Sequence, residues 1–261
     1  MIPSVQSIVA FCATVIFIYM SVWFLIAMAI KRNDIVDVAW GLGFSTLAVL
    51  VPRNGQFSQD LVIRMLIIVW GVRLSYHIFA RFRQKSEDYR YLAMRNAWGK
   101  WFILRSYVQV FMLQGIFMLL ISAPLIVSSV SSRESQPIPY WIGLGIWVVG
   151  FIFESVGDWQ LAQFISQRKN KISVMRYGVW RYTRHPNYFG EVTQWWGIFF
   201  MVMTQANGMY AMLSPVVITI LILGISGIPM LEKKYVGNTE FEAYKRTTSP
   251  FFPWFPKTDP I

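Results

Sequence analysis

The run SIVAFCATVIFIYMSVWFLIAMAIKR, residues 7–32, decides the fold: twenty-four residues without a charge, closed by Lys31-Arg32. About twenty such residues, wound as a helix, cross a hydrocarbon core some 30 Å thick. A positively charged leader and a small-residue cleavage site are both missing, so the run reads as an anchor and not a removable signal. Working outward, further apolar runs lie near 36–51, 61–79, 106–128, 140–164, 188–204 and 209–230. The pattern predicts an all-α integral membrane protein: a seven-transmembrane-helix bundle forming a single membrane-embedded domain over 1–261.

Composition agrees. Residues are 55% hydrophobic and 14% charged, far from the quarter charged of a soluble domain, and too apolar for a solvated disordered chain. One cysteine, Cys12, and two histidines, His77 and His185, argue against a disulfide or a metal centre. The net charge of +11 reflects topology and not nucleic acid. All but four of the 24 Lys and Arg residues fall on alternate loops: Lys31 and Arg32, seven from Arg81 to Arg105, six from Arg168 to Arg184, and five from Lys233 onward. Arg53 and Arg133 lie on the other side, and Arg64 and Arg73 inside the third span. Positive charge stays in the cytoplasm, which places the N-terminus outside and the C-terminus inside. The connections 80–105 and 165–187 are long, and such loops tend to be functional.

Charge inside a span is costly and invites a functional reading. Asp37 lies one turn into the second span, and Arg73, Tyr76 and His77 share one face of the third by their i, i+3, i+4 spacing. Glu154 and Asp158 repeat that spacing in the fifth, Glu191 opens the sixth, and Gln114 and Gln194 add neutral polar groups. All fall in the cytoplasmic half, leaving the outer half nearly all apolar: a polar cavity entered from the cytoplasm, with a greasy chamber beyond. Interhelical pairing of Arg73 with Asp37 or Glu154 is the purely structural alternative.

The richest local signal is RYGVWRYTRHPNYFGEVTQWWG, residues 176–197. Pro186 suits a first helical turn, so the sixth span starts there, its free amides beside Arg181, Arg184 and His185 as an anion site. Asn187, Glu191 and, less closely, Trp195 then descend one face. Arginines interleaved with aromatics such as Tyr182 suit a phosphate-bearing, ring-containing ligand.

The segment Arg184–Glu191 with Trp195-Trp196-Gly197 resembles the C-terminal signature of the steroid 5-alpha-reductase superfamily. Asp37–Gly43, Glu87–Tyr91 and the Phe-Pro-Trp-Phe-Pro tail extend the resemblance over most of the chain. It implies a seven-helix membrane reductase, here of a bacterial inner membrane, that uses NADPH from the cytoplasmic side to saturate the double bond of a 3-oxo-4-ene steroid or another hydrophobic enone. No obligate protein partner is implied. By the same resemblance Asn187, Glu191, Trp195, Asp158, Glu154 and Tyr235 belong to the cofactor side, and Tyr76 matches the catalytic tyrosine. The Gln-Glu pair of the animal enzymes is missing from the second span, with Asp37, or less closely Asp34, its nearest acidic replacement.

Isoprenylcysteine and phospholipid methyltransferases, which bind S-adenosylmethionine, resemble the chain too: Arg184-His185-Pro186, then Glu232, then Phe241-Glu242-Ala243-Tyr244. The extra Asn187, Glu191 and Trp195-Trp196-Gly197 favour the reductase. No Gly-x-Gly-x-x-Gly occurs, so a Rossmann domain is not expected. The arginines 95, 105, 168, 176, 181 and 184 are expected to clamp the phosphates, with Tyr182 and His185 beside them. Hydride reaches the β carbon while Tyr76, backed by Asp37 or His77, donates to the carbonyl oxygen.

Overall fold

A computed structural model describes residues 4–53, 58–131, 134–167 and 173–257, and among these all regular structure is helical. The helices are α1 (Val5–Ile30), α2 (Ile35–Leu50), α3 (Ser58–Gln84), α4 (Tyr89–Ile121), α5 (Ala123–Val130), α6 (Pro137–Gln167), α7 (Pro186–Val202), α8 (Gly208–Lys233) and α9 (Thr239–Thr247). Among the described residues five of them, α1, α3, α4, α6 and α8, are long and apolar enough to cross a bilayer, which fits a multi-pass membrane protein. The second and sixth expected spans are helices of only 16 and 17 residues. About twenty are needed for a perpendicular crossing.

Local chemistry sets the ends. The Ser4 hydroxyl accepts from the Ser7 amide at 3.1 Å to open α1, and Lys31, at φ 56°, closes it in the left-handed conformation. The expected long connection at 80–105 is instead helix on both sides of a four-residue break. Asp88 caps the Arg90 amide at 2.9 Å and starts α4 some seventeen residues before the apolar run does. Apolar periodicity cannot register that start, because the cap alone defines it.

The chain divides into two compact units, Met1–Gln136 with Val202–Leu213, and Pro137–Met201 with Ser214–Ile261. Each is organised on a glycine seam. In the first, α2 and α3 meet at Gly41 and Gly71, where a Cβ on Gly41 would come within 2.6 Å of Ser75 Oγ and closer still to the Gly71 carbonyl. Ser75 Oγ then donates to the Val38 carbonyl at 2.8 Å. In the second, Gly143, Gly150 and Gly157 recur every seven residues along α6. They face Gly197, Gly190 and Pro186 of α7, the Gly150 and Gly190 positions lying against each other's backbone. Such backbone contact, open only to the smallest residues, is how helices associate where lipid offers no hydrophobic gain.

At the end of the first unit where α2 finishes and α3 begins, Arg64 is buried and donates to Asp60 at 2.8 Å, to the Ala48 and Val51 carbonyls at 2.8 Å and to Ser129 Oγ at 2.8 Å. Ser128 Oγ donates to the other Asp60 oxygen at 2.5 Å. An ion pair thus sits in the half expected to be apolar. It is tolerated because every oxygen and nitrogen of the pair is given a partner at once.

Candidate functional site

Two groups of polar side chains stand out, one in each unit. In the first unit the break before α4 folds back against the α1–α2 turn. Arg32 grips Asp34 through two bonds (3.1 and 2.8 Å) and stacks on Phe82, while the Asn33 amide donates to Glu87 at 2.7 Å. Asp37, in the first turn of α2, accepts from Tyr91 Oη at 2.8 Å and from the Arg90 guanidinium at 3.2 Å, which also binds Asp88. The Arg90 and Asp37 side chains remain 30% and 29% exposed, so this cluster is open where the Arg64 cluster is closed.

The hydroxyl on Asp37 is therefore that of Tyr91. Backing of Tyr76 by Asp37 is not found: Tyr76 is 74% exposed on α3, with His77 half-buried next to it. Arg95 also departs from the expected phosphate clamp. Its guanidinium reaches both Glu87 oxygens at 3.2 Å and the Lys31 carbonyl at 3.2 Å, and covers the Phe102 ring, which pins the α1–α2 turn. Arg105 lies exposed on α4 in the same unit.

In the second unit the α6–α7 seam carries the acids. Glu154, 2% exposed, accepts from Gln194 Nε2 at 2.5 Å, and Asp158 accepts from Asn187 Nδ2 at 3.2 Å. Glu191 is half-buried on α7, and Trp195 is buried in its core face. Two acceptor atoms of this unit, Gln194 Oε1 and His185 Nδ1, are buried with no hydrogen-bond partner among the described residues.

At the mouth of α7, Arg184 donates to Glu232 at 2.9 Å and to the Lys245 and Thr248 carbonyls at 3.2 and 2.7 Å. His185 Nε2 meets the same Glu232 oxygen at 2.9 Å. Tyr244 Oη donates to the Trp180 carbonyl and to the Thr183 carbonyl at 3.4 Å. Arg184 is 8% exposed, with its Nε and Nη1 engaged by these partners. The charge expected to clamp a diphosphate instead ties the tail to the loop before α7. Burial holds the His185 pKa below its ordinary 6.5, with Arg184 adding to this and Glu232 opposing it. A neutral ring whose Nε2 faces a carboxylate carries its proton there, which leaves Nδ1 an acceptor. Burial likewise pushes the Tyr244 hydroxyl well above its ordinary range.

The other expected ligands are more dispersed. Arg181 is exposed, and Tyr182 packs edge-on to Phe255. Arg176 pairs with Glu240 at 3.8 Å, and Tyr235 stacks on Phe241 in a small core with Val174 and Tyr244. Arg168 lies outside the described residues. Sequence reasoning missed Tyr91 and Arg90 as the partners of Asp37, although the run Glu87–Tyr91 had been noticed. No spacing rule links Asp37 to a residue fifty-four positions away.

Residues 23–248 match the family described as protein of unknown function (DUF1295), and the chain belongs to it. No curated protein and no solved structure matches the chain.

Proposed function

We propose that the protein is a seven-span membrane reductase of the steroid 5-alpha-reductase type. It would act with NADPH on the carbon–carbon double bond of a hydrophobic enone, its N-terminus outside and its cofactor side toward the cytoplasm of a bacterial cell. The observation that carries this reading is the α6–α7 seam, where Glu154, Asp158 and the unpartnered Gln194 Oε1 and His185 Nδ1 make a set of buried acceptors. Unpartnered buried acceptors cost free energy until a donor reaches them, and a carboxamide and ribose hydroxyls are such donors. The residues thus fit a nicotinamide riboside, which Asn187, Asp158 and Glu191 would hold. The chemistry this group supplies when bound is a hydride for the double bond. Of the expected clamp arginines described in the second unit, Arg181 is the one left to meet phosphate, since Arg184 is committed to Glu232 and Arg176 pairs with Glu240.

In the first unit the group suited to the substrate oxygen is Asp37, which would donate to it as the protonated acid, held in place by Tyr91 and Arg90. A donor preset at the carbonyl lowers the barrier by about 3 kcal/mol as charge grows on its oxygen. One observation favours the rival S-adenosylmethionine methyltransferase: Arg184, His185, Glu232 and Tyr244, the residues of that resemblance, are gathered around one knot. Titrating the purified protein with each cofactor separates the two. The reductase reading expects NADPH to bind and S-adenosylmethionine not to, and the reverse result overturns it.

A further inference from the structure

The segment after α9 was not absorbed by the proposed chemistry. It is held firmly: Thr183 Oγ1 donates to the Phe251 carbonyl at 2.8 Å, the Trp254 amide to the Tyr182 carbonyl at 2.9 Å, and the Lys257 amide to the Thr247 carbonyl at 2.8 Å. Phe251 turns inward against Phe189. Yet Phe252, Trp254 and Phe255 stand 70%, 72% and 77% exposed. A chain tied down at so many points would be expected to tuck such rings away if water were their surroundings.

These rings border an open cavity of about 460 Å³ whose other walls bear Lys245, Arg246 and Lys257, with Thr247 and Ser249 hydroxyls between them. Among the described residues no carboxylate lines it. Lys245 also reaches Glu242 at 3.5 Å, on the solvated side of α9. Cations and hydroxyls beside exposed Trp and Phe are the composition of the headgroup layer, where an aromatic ring meets acyl chains and a lysine meets phosphate. α9 begins six positions after the apolar α8 ends and the tail follows α9 directly, so it cannot stray far from a membrane surface.

We propose that this cavity binds an anionic phospholipid, its phosphate among Lys245, Arg246 and Lys257 and its acyl chains along Phe252, Trp254 and Phe255. The proposal is independent of the reductase reading. Thermal unfolding of the full chain in detergent, titrated with phosphatidylglycerol or phosphatidylcholine, tests it. Phosphatidylglycerol should raise the melting temperature at a half-saturating concentration about thirtyfold below that of phosphatidylcholine, the advantage two lysines confer at a surface. The double variant Lys245→Gln/Lys257→Gln should remove most of that difference, while Lys245→Arg/Lys257→Arg keeps it. On the unaltered protein, raising the salt concentration should weaken the phosphatidylglycerol response selectively, a check that needs no variant. Equal response to the two lipids, or a difference that survives both the glutamine variant and high salt, overturns the proposal. So does loss of the phosphatidylglycerol response on adding inorganic phosphate, which would assign the cations to a free anion, or on adding NADPH, which would assign them to the dinucleotide.

Discussion

The first unit holds two ionic clusters at opposite ends of α2, about 17 Å apart by helical rise. Around Arg64 the side chains are sealed, 4% and 8% exposed across the pair with Asp60, and five neighbouring groups complete the bonding. Around Asp37 the same kind of ion pair stays nearly a third exposed. Both are carboxylate–guanidinium pairs beside α2, so residue type does not distinguish them. The number of partners and the access of solvent do. A sealed cluster has no capacity left for a ligand, whereas an open one leaves room for the Asp37 acid to donate to a substrate oxygen.

Removing a partner from each end breaks this comparison most directly. Arg64→Ala should destabilise the protein by about 3 kcal/mol, since it leaves the buried Asp60 with only Ser128 and the partly exposed Arg53 as partners; chemical unfolding in detergent reads this, and an unchanged transition would show that the cluster is not sealed. Asp37→Asn should shift the same transition by less than about 1 kcal/mol, as befits a half-exposed pair. On an enone substrate with NADPH it should slow turnover about a hundredfold. Full turnover in that variant would remove Asp37 from the chemistry. Ser128→Ala, which deletes one charge-assisted bond of the sealed cluster, should cost about 1.5–3 kcal/mol with turnover intact. Tyr91→Phe should lower kcat about tenfold and leave KM in place, as expected of a positioning residue that does not bind substrate.

The smallest expected effect extends the comparison to the second unit, where Arg184, Glu232 and His185 form another closed knot. Burial depresses the His185 pKa below 6.5. The unfolded chain therefore takes up a proton below that pH while the folded chain resists it. The stability His185 contributes is fully present above pH 6.5 and is lost as pH falls through its folded value. His185→Gln should flatten the slope of melting temperature against pH below 6.5; a slope equal to that of the unaltered protein would mean that the ring is already protonated when folded.

Much of this architecture was legible in advance. The apolar runs all fall on helix, because desolvation at that length admits little besides helix, but the fourth is divided at Ser122 and five of the described helices are long enough to span. The i, i+4 rule placed Glu154 and Asp158 on one face of α6, which the structure turns toward α7, and Pro186 marked the first turn of α7. Less legible were the partners. Arg95, Arg184 and Arg176 read alike as basic loop residues, yet the first two secure turns and the third pairs with Glu240.

The sequence by itself determined that this chain is helical, apolar enough for a bilayer and punctuated by acids where few are tolerated, because period and desolvation are local properties. Which arginine is committed and which stays exposed, which tyrosine meets Asp37, and which acceptors lie buried without a donor were decided only by tertiary structure. Those contacts include pairs 48 and 54 positions apart, Arg184 with Glu232 and Tyr91 with Asp37, and their energy depends on burial and on the number of partners, neither of which is encoded at a single position.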